Sequence, residues 1–185
     1  LKAFVVSDEE LRSARSAQIN DVVRGFLKAR GYGVEEAHLD RDTLKCCMGC
    51  FGCWVKKPGV CVIGDGMSSV NNSAMTSDAV FYICPIVFGQ FSANIKNAVD
   101  RWLPNMLPFF ETRPDGSTMH PPRYIDYPCQ IMIGYGENLT REDARLFTDI
   151  IKKHRGGAEV LICGDPAELP EALGRLSLSR IGGHL

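Results

Sequence analysis

Long apolar runs are missing from this chain. The longest, Ala79 to Phe88, is ten residues and contains Pro85, about half of the roughly 20 residues a membrane-spanning helix needs. An excess of either charge is missing too: 21 Lys and Arg stand against 22 Asp and Glu, a formal net charge of −1 and a pI of about 6.5. With no basic field to gather phosphate backbone or anionic lipid, the expectation is no nucleic-acid partner and no membrane partner. Leu1 to Val6 carry neither a basic leader nor a small-residue cleavage motif, so the expected location is cytoplasmic. There is no Walker loop, H-E-x-x-H or Ser-His-Asp order, and His38, His120, His154 and His184 are scattered. Hydrolase and metalloprotease chemistry find no support in that pattern.

What is present fits one globular domain over residues 1–185. The chain is 45% hydrophobic and 23% charged, and its length allows roughly 70% of the unfolded surface to be buried. Strand and helix signals alternate. Lys2 to Val6 is a short apolar run; Ile19, Val22, Val23, Phe26 and Leu27 then repeat at helical spacing until Gly31 and Gly33. Val34 to Leu39 reads as a weaker strand, and Met67 to Ser77 as a poor helix. Ala79 to Cys84 has no polar alternation, as expected of a strand covered on both faces. Ser92 is a candidate N-cap for a helix carrying Ile95, Ala98, Val99 and Trp102. Cys129 to Ile133 and Val160 to Cys163 read as further strands, with a helix between them over 141–155. Thr140 and Asp143 mark its start, and Lys152 to Arg155 before Gly156 mark its end. Five strands alternating with helices predict a flavodoxin-like, doubly wound α/β/α fold with a parallel sheet of order 2-1-3-4-5. Residues 104–128 hold six of the ten prolines together with Phe109, Phe110, Tyr124 and Tyr127. A connection of that length and composition predicts a flap or a subunit contact.

Five of the eight cysteines fall between Cys46 and Cys61. Cys47, Cys50, Cys53 and Cys61 form a C-x2-C-x2-C-x7-C pattern within a cysteine-rich insertion at 44–66. Two-residue spacings let thiolates face a common centre, and four thiolates suit a [4Fe-4S] cluster. Zinc would accept the same ligands, and a turn of reduced cysteines or a redox disulfide is the alternative without metal. Cys46, Cys84, Cys129 and Cys163 read as buried apolar residues.

The stretch from Cys47 to Met67 resembles the signature of the iron-sulfur flavoproteins and related NAD(P)H-dependent FMN reductases. Pro85, Phe88, Gly89, Ser92, Ala93, Lys96, Asp100 and Arg101 are similar to the flavin-loop-and-helix pattern of that family. The resemblance covers residues 44–102 closely and the rest by order of elements. It implies a flavodoxin-like fold, FMN, exchange of electrons with NAD(P)H as cosubstrate and, in one branch, a [4Fe-4S] cluster on the four cysteines. It also implies a homodimer or homotetramer.

In open α/β sheets, ligands bind beyond the carboxyl ends of the strands at the switch point. That places the loop containing Ser7, Ser13, Arg15 and Ser16 beside Pro85, Ile86, Val87, Phe88 and Gly89, and beside Gly134, Tyr135 and Gly136. These are the expected FMN-binding residues. The glycines would admit a flat ring, Phe88 and Tyr135 would border it, and Arg15 with the serines would meet the phosphate. The first loop departs from the family's Gly-Ser-Pro-Arg pattern: it has no glycine and carries Asp8, Glu9 and Glu10 where an anion should bind. The reading is an FMN-dependent oxidoreductase passing electrons to a small-molecule or redox-protein acceptor, with no protein side chain as acid or base. Its rivals are a pure electron shuttle and a non-catalytic flavodoxin-like protein that lost its cofactor and acts as a partner or regulator.

Overall fold

The computed structural model describes residues 1–154 and 157–182. Five strands form one parallel sheet: β1 (Lys2–Asp8), β2 (Gly33–Leu39), β3 (Ala79–Val87), β4 (Cys129–Tyr135) and β5 (Glu159–Cys163). Their spatial order is β2-β1-β3-β4-β5, the 2-1-3-4-5 order expected from the sequence. Helices α1 (Ala14–Ala29), α2 (Gly52–Val55), α3 (Met67–Met75), α4 (Ala93–Asp100), α5 (Arg141–His154) and α6 (Leu169–Gly174) fill the connections.

Strand periodicity divides the core into two layers. Ala3 and Val5, Ala79, Phe81 and Ile83, and Ile131 and Ile133 face α1 and α6, where Ile19, Val23, Leu27, Leu169 and Leu173 meet them. The alternate residues Phe4, Val6, Val80, Tyr82 and Met132 face α3, α4 and α5 through Met67, Ala74, Ile95, Ala98, Phe147 and Ile151. Both faces of the three central strands are thus covered, which is why they lack polar alternation.

Local chemistry sets the helix ends. Ser13 caps α1 and exchanges reciprocal hydrogen bonds with Ser16, two donors satisfied at once. Thr140 Oγ1 accepts from the Asp143 amide at 3.0 Å, and Asp143 accepts from the Thr140 amide at 3.2 Å. The helix start read at Thr140 therefore holds, while Arg155 and Gly156 at its other end lie outside the described residues. Ser92 is the N-cap residue of α4, yet its side chain makes no capping bond.

Two expectations are corrected. Pro85 to Val87 belong to β3, which turns at Phe88 and Gly89 and pairs with Gln90–Phe91 as a short hairpin. β1 pairs only as far as Ile83, so the donor that Pro85 lacks falls where one ladder has ended. Cys46 is exposed, whereas Cys84, Cys129 and Cys163 are buried. It lies in the irregular segment after β2, outside the sheet that shields the other three.

The proline-rich segment is tied down. Tyr127 donates to the Asn105 carbonyl and accepts from the Arg123 amide, Met106 bridges Pro122, and Asp126–Tyr127 pairs with Ile181–Gly182. Trp54 of α2 donates to the Leu103 and Met106 carbonyls at 3.0 Å each and stacks on Phe51. No helix among the described residues is long and apolar enough to cross a membrane.

Candidate functional site

The carboxyl ends of β1, β3 and β4 lie side by side, with Ser7 opposite Ile83 and Cys84 opposite Gly134. Two contacts bind the three loops together. Asp8 Oδ1 accepts from Asn94 Nδ2 at 3.1 Å, joining the first loop to the start of α4. Arg15 donates to the carbonyls of Gly136 at 3.3 Å and Gly164 at 2.6 Å, joining it to the loops after β4 and β5. A cavity of about 220 Å³ opens beside the first loop, lined by Ser7, Asp8, Glu9, Arg12, Ser16 and His38 among others.

The side chains expected to hold a phosphate are engaged within the protein. Ser7 Oγ lies 2.7 Å from His38 Nδ1, Ser13 and Ser16 bond each other, and Arg15 serves backbone carbonyls. Glu10 pairs with Arg41, and Glu9 with Arg12. Asp8 is buried, and its Oδ1 also accepts from the Leu11 amide. As arranged, the hydroxyls and Arg15 are taken up within the protein and Asp8 brings a further acceptor to this end of the edge, so the loop offers no free donor set for the phosphate of FMN.

The glycines behave differently from expectation as well. The space left by the missing side chain is filled by Leu146 at Gly89, by Phe147 and Ile86 at Gly134, and by Leu139 at Gly136. They permit close packing of the chain on itself. A Cβ on Gly134 would lie 2.6 Å from the Phe147 ring and 2.8 Å from Ile86, and Phe147 is fully buried. Gly134→Ala is therefore expected to destabilise by about 1–3 kcal/mol, read as a lower urea midpoint with unchanged m-value. Phe88 is 92% exposed at the hairpin tip, while Tyr135 is 4% exposed. The two do not flank one open surface.

Between these loops lie the buried polar side chains of Asp8, Ser92 and Tyr135, each singled out in the sequence but not as neighbours. Among the described residues Asp8 Oδ2 is buried without a hydrogen-bond partner, while Ser92 meets Cys84 and Tyr135 meets Ser16. Burial pushes the Tyr135 phenol up to about 12 and the Cys84 thiol up to about 12. Both stay protonated through the physiological range, so the site contains neither phenolate nor thiolate at its centre. Asp8 at the end of β1 and Tyr135 at the end of β4 are brought to one edge by the strand order, and no local spacing announces it.

The cysteine segment forms a second group. Cys47 and Cys50 are exposed, Cys53 is buried and Cys61 is half-buried. Burial raises the Cys53 thiol, and the charges of Cys61, Cys47 and Cys50 raise it further. Arg101 donates to Cys61 Sγ at 3.2 Å and makes a buried ion pair with Asp65. Among the described residues, no group of three or more His, Cys, Asp or Glu side chains is arranged to hold a metal ion. As it stands, the segment does not fit a cluster, with two thiols exposed and a guanidinium against a third.

Of the histidines, His38 meets Ser7, and His120 packs against Trp54 and Phe110. His154 lines a larger cavity of about 710 Å³ with Trp102, Met106 and Met119. That cavity reaches Gln130 near the start of β4 and Ala158 just before β5, so it lies away from the carboxyl edge where doubly wound sheets bind ligands. His184 lies outside the described residues.

The switch-point geometry defines a flavodoxin-like α/β protein, and the comparisons with known proteins point the same way. The chain is 28% identical over 104 residues to an iron-sulfur flavoprotein of Archaeoglobus fulgidus, a match covering 56% of this chain and 46% of that relative. The match thus spans less than half the length of the curated relative. In structure it is similar to the NAD(P)H:quinone oxidoreductase from Methanothermobacter marburgensis, with a TM-score of 0.64, 14% identity and coverage of 95% and 94% of the two chains. It is also similar to an azoreductase from Bacillus anthracis, with a TM-score of 0.62, 13% identity and coverage of 94% and 92%. No family profile matches the chain. The resemblance to the iron-sulfur flavoproteins is thus met by a curated relative in sequence, and the flavodoxin-like fold by the solved structures.

Proposed function

We propose that this chain is a flavin-dependent oxidoreductase that exchanges electrons with NAD(P)H and passes them to a small-molecule or redox-protein acceptor. The observation that carries this reading is the sequence match to the Archaeoglobus iron-sulfur flavoprotein, joined to full-length likeness with a quinone reductase structure. A bound flavin supplies the electron chemistry, and a protein of this kind contributes position and environment. The neutral Tyr135 and Cys84 suit such a role, since neither offers a charge or a base near the site.

The test is NADH or NADPH oxidation by the purified protein with added flavin and a quinone acceptor. Consumption that depends on protein supports the reading, and none above the protein-free control overturns it. The internal engagement of Ser7, Ser13, Arg15 and Ser16 favours the rival, a non-catalytic flavodoxin-like protein, and the same assay with a flavin-binding titration separates the two.

Two finer readings rest on sequence. A [4Fe-4S] cluster on Cys47, Cys50, Cys53 and Cys61 is suggested by their spacing alone, against the arrangement of the thiols in the structure, and about four irons with matching acid-labile sulfide in anaerobically purified protein would establish it. A homo-oligomer follows from the family resemblance, with exposed Phe51, Phe109, Phe110 and Ile125 available to a second copy. Light scattering at the mass of a single chain across the working concentration range would overturn that reading. The cytoplasm is the compartment in which reduced cysteines of this kind would persist.

A further inference from the structure

The larger cavity, of about 710 Å³, stands apart from the carboxyl edge and has no part in the function proposed above. It lies between the proline-rich segment, the end of α4 and the last turn of α5. Its volume is that of a pocket for a small organic ligand, roughly 300–1,000 Å³. Val99, Trp102, Leu103, Met106, Met119 and Ile181 supply apolar walls. Those walls are braced. Tyr127 ties the Asn105 carbonyl to the Arg123 amide, Ile181–Gly182 pairs with Asp126–Tyr127, and Thr118–Met119 pairs with Glu111–Thr112. The cavity is therefore formed before any ligand arrives, which spares the ligand the cost of ordering the chain.

Histidines apart, the charged side chains lining it are Asp100 and Lys153, and each has its own counter-charge, Lys96 for Asp100 and Asp115 for Lys153. No uncompensated charge is left to attract an ion, so the lining fits an uncharged occupant. His120 adds direction. Its Nδ1 lies 2.8 Å from the Phe109 carbonyl oxygen, which can only accept, so Nδ1 carries the proton and Nε2 of the neutral ring is left as an acceptor. The ring packs against both Trp54, at 4.7 Å, and Phe110, at 4.6 Å. The Trp54 indole is in turn fixed by the Leu103 and Met106 carbonyls. An apolar enclosure with a fixed acceptor on an aromatic wall fits a flat aromatic ring that bears a hydroxyl donor.

We propose that this cavity is a binding site for an uncharged fused-ring aromatic alcohol, the class of the naphthols. The hydroxyl donates to His120 Nε2, and the rings lie against Trp102, Met106 and Met119. The site is separate from the carboxyl edge, and it stands whether or not the chain is a flavin enzyme.

The experiment is calorimetric titration of the purified protein with a naphthol, its methyl ether and the naphthoate substituted at the same ring position. The naphthol is expected to bind about tenfold more tightly than the ether, which cannot donate, and at least about tenfold more tightly than the anion. His120→Phe keeps an aromatic ring against Trp54 and Phe110 and removes the acceptor. It should bring the naphthol to within about twofold of the ether while leaving the ether unchanged. Ala158→Phe, which adds a ring at the wall just before β5, should weaken naphthol and ether alike by at least about tenfold. An ether that binds as tightly as the naphthol, or an unchanged preference in folded His120→Phe, overturns the contact with His120. Tightest binding by the naphthoate overturns the uncharged class, and binding of none of the three at about 0.1 mM overturns the site. Displacement of the naphthol by FMN would make the cavity the flavin's own and overturn its separateness. Naphthol affinity that falls as protein concentration rises would show a second copy of the chain covering the cavity, which also overturns the proposal. The comparison of the three ligands on the wild type decides the matter even if neither variant folds.

Discussion

Arg101→Met is expected to lower the unfolding free energy by about 3–5 kcal/mol, because it leaves the buried carboxylate of Asp65 without its counter-charge. The pair is almost wholly out of water, with side-chain exposures of 1% and 5%. Arg101 reaches both Asp65 oxygens, the Lys45 carbonyl at 2.8 Å and Cys61 Sγ at 3.2 Å. It therefore fastens three points of the cysteine segment to the end of α4. Asp65 keeps the amides of Lys45 at 2.9 Å and Met67 at 3.1 Å, which offset part of the loss. Removing both charges, in Arg101→Met with Asp65→Leu, should cost less than the single change, since no uncompensated charge is then buried. Urea denaturation of the wild type, both single variants and the double variant gives the coupling. A double variant no more stable than Arg101→Met would show that the pair's charge is not what matters.

The same pair sets a pH dependence. Burial pushes the Asp65 carboxyl up, but the hydrogen bonds from Arg101 and from the Lys45 and Met67 amides outweigh it and hold it below the ordinary carboxylate range. A folded pKa below the unfolded one means that the stabilisation is fully present above the ordinary value, about 3.9, and is lost as pH falls through the lowered folded value. Acid unfolding of Asp65→Asn should accordingly show a shallower pH dependence than the wild type below about pH 4.

Phe147→Ala is expected to cost about 3–5 kcal/mol. The ring is completely buried where α5 meets the sheet, stands 5.5 Å from the Phe91 ring, and fills the space over Gly134. Its loss opens a cavity that β4 and the hairpin at Gln90–Phe91 cannot both collapse into without disturbing the carboxyl edge. Thermal and urea unfolding measure the loss. A further consequence separates this residue from ordinary core: the added methyl of Gly134→Ala has room once the ring is gone. The Gly134→Ala change should therefore cost less in the Phe147→Ala background than in the wild type, a coupling of about 0.5–3 kcal/mol between contacting residues. Additive losses would mean that the two do not compete for one space.

The architecture was legible because it rests on local repetition. Ile19, Val23 and Leu27 announce α1, Ala79 to Cys84 announces a strand buried on both faces, and Thr140 with Asp143 announces the start of α5. Each signal lies within a few residues of the structure it specifies. The hairpin beyond Pro85 was not legible, since whether a proline can sit in a strand depends on where the neighbouring strand stops. Cys46 resembles Cys84 and Cys129 as a residue type, yet it lies exposed because the segment around it never enters the sheet.

The residues at the carboxyl edge mark the boundary most clearly. The strand order alone determines that Ser7, Pro85 and Gly134 meet there, and the sequence shows that three acids accompany them. Only the tertiary structure decides that Arg15 turns to backbone carbonyls, that Ser13 and Ser16 spend their hydroxyls on a helix cap, and that Phe147 and Leu146 occupy the spaces at Gly134 and Gly89. Periodicity and spacing along the chain determine which elements form and how they are ordered. The partners of a side chain at a crossing of three loops come from residues up to 149 positions apart, and their competition for the same donors, acceptors and volume is settled only once the chain has folded.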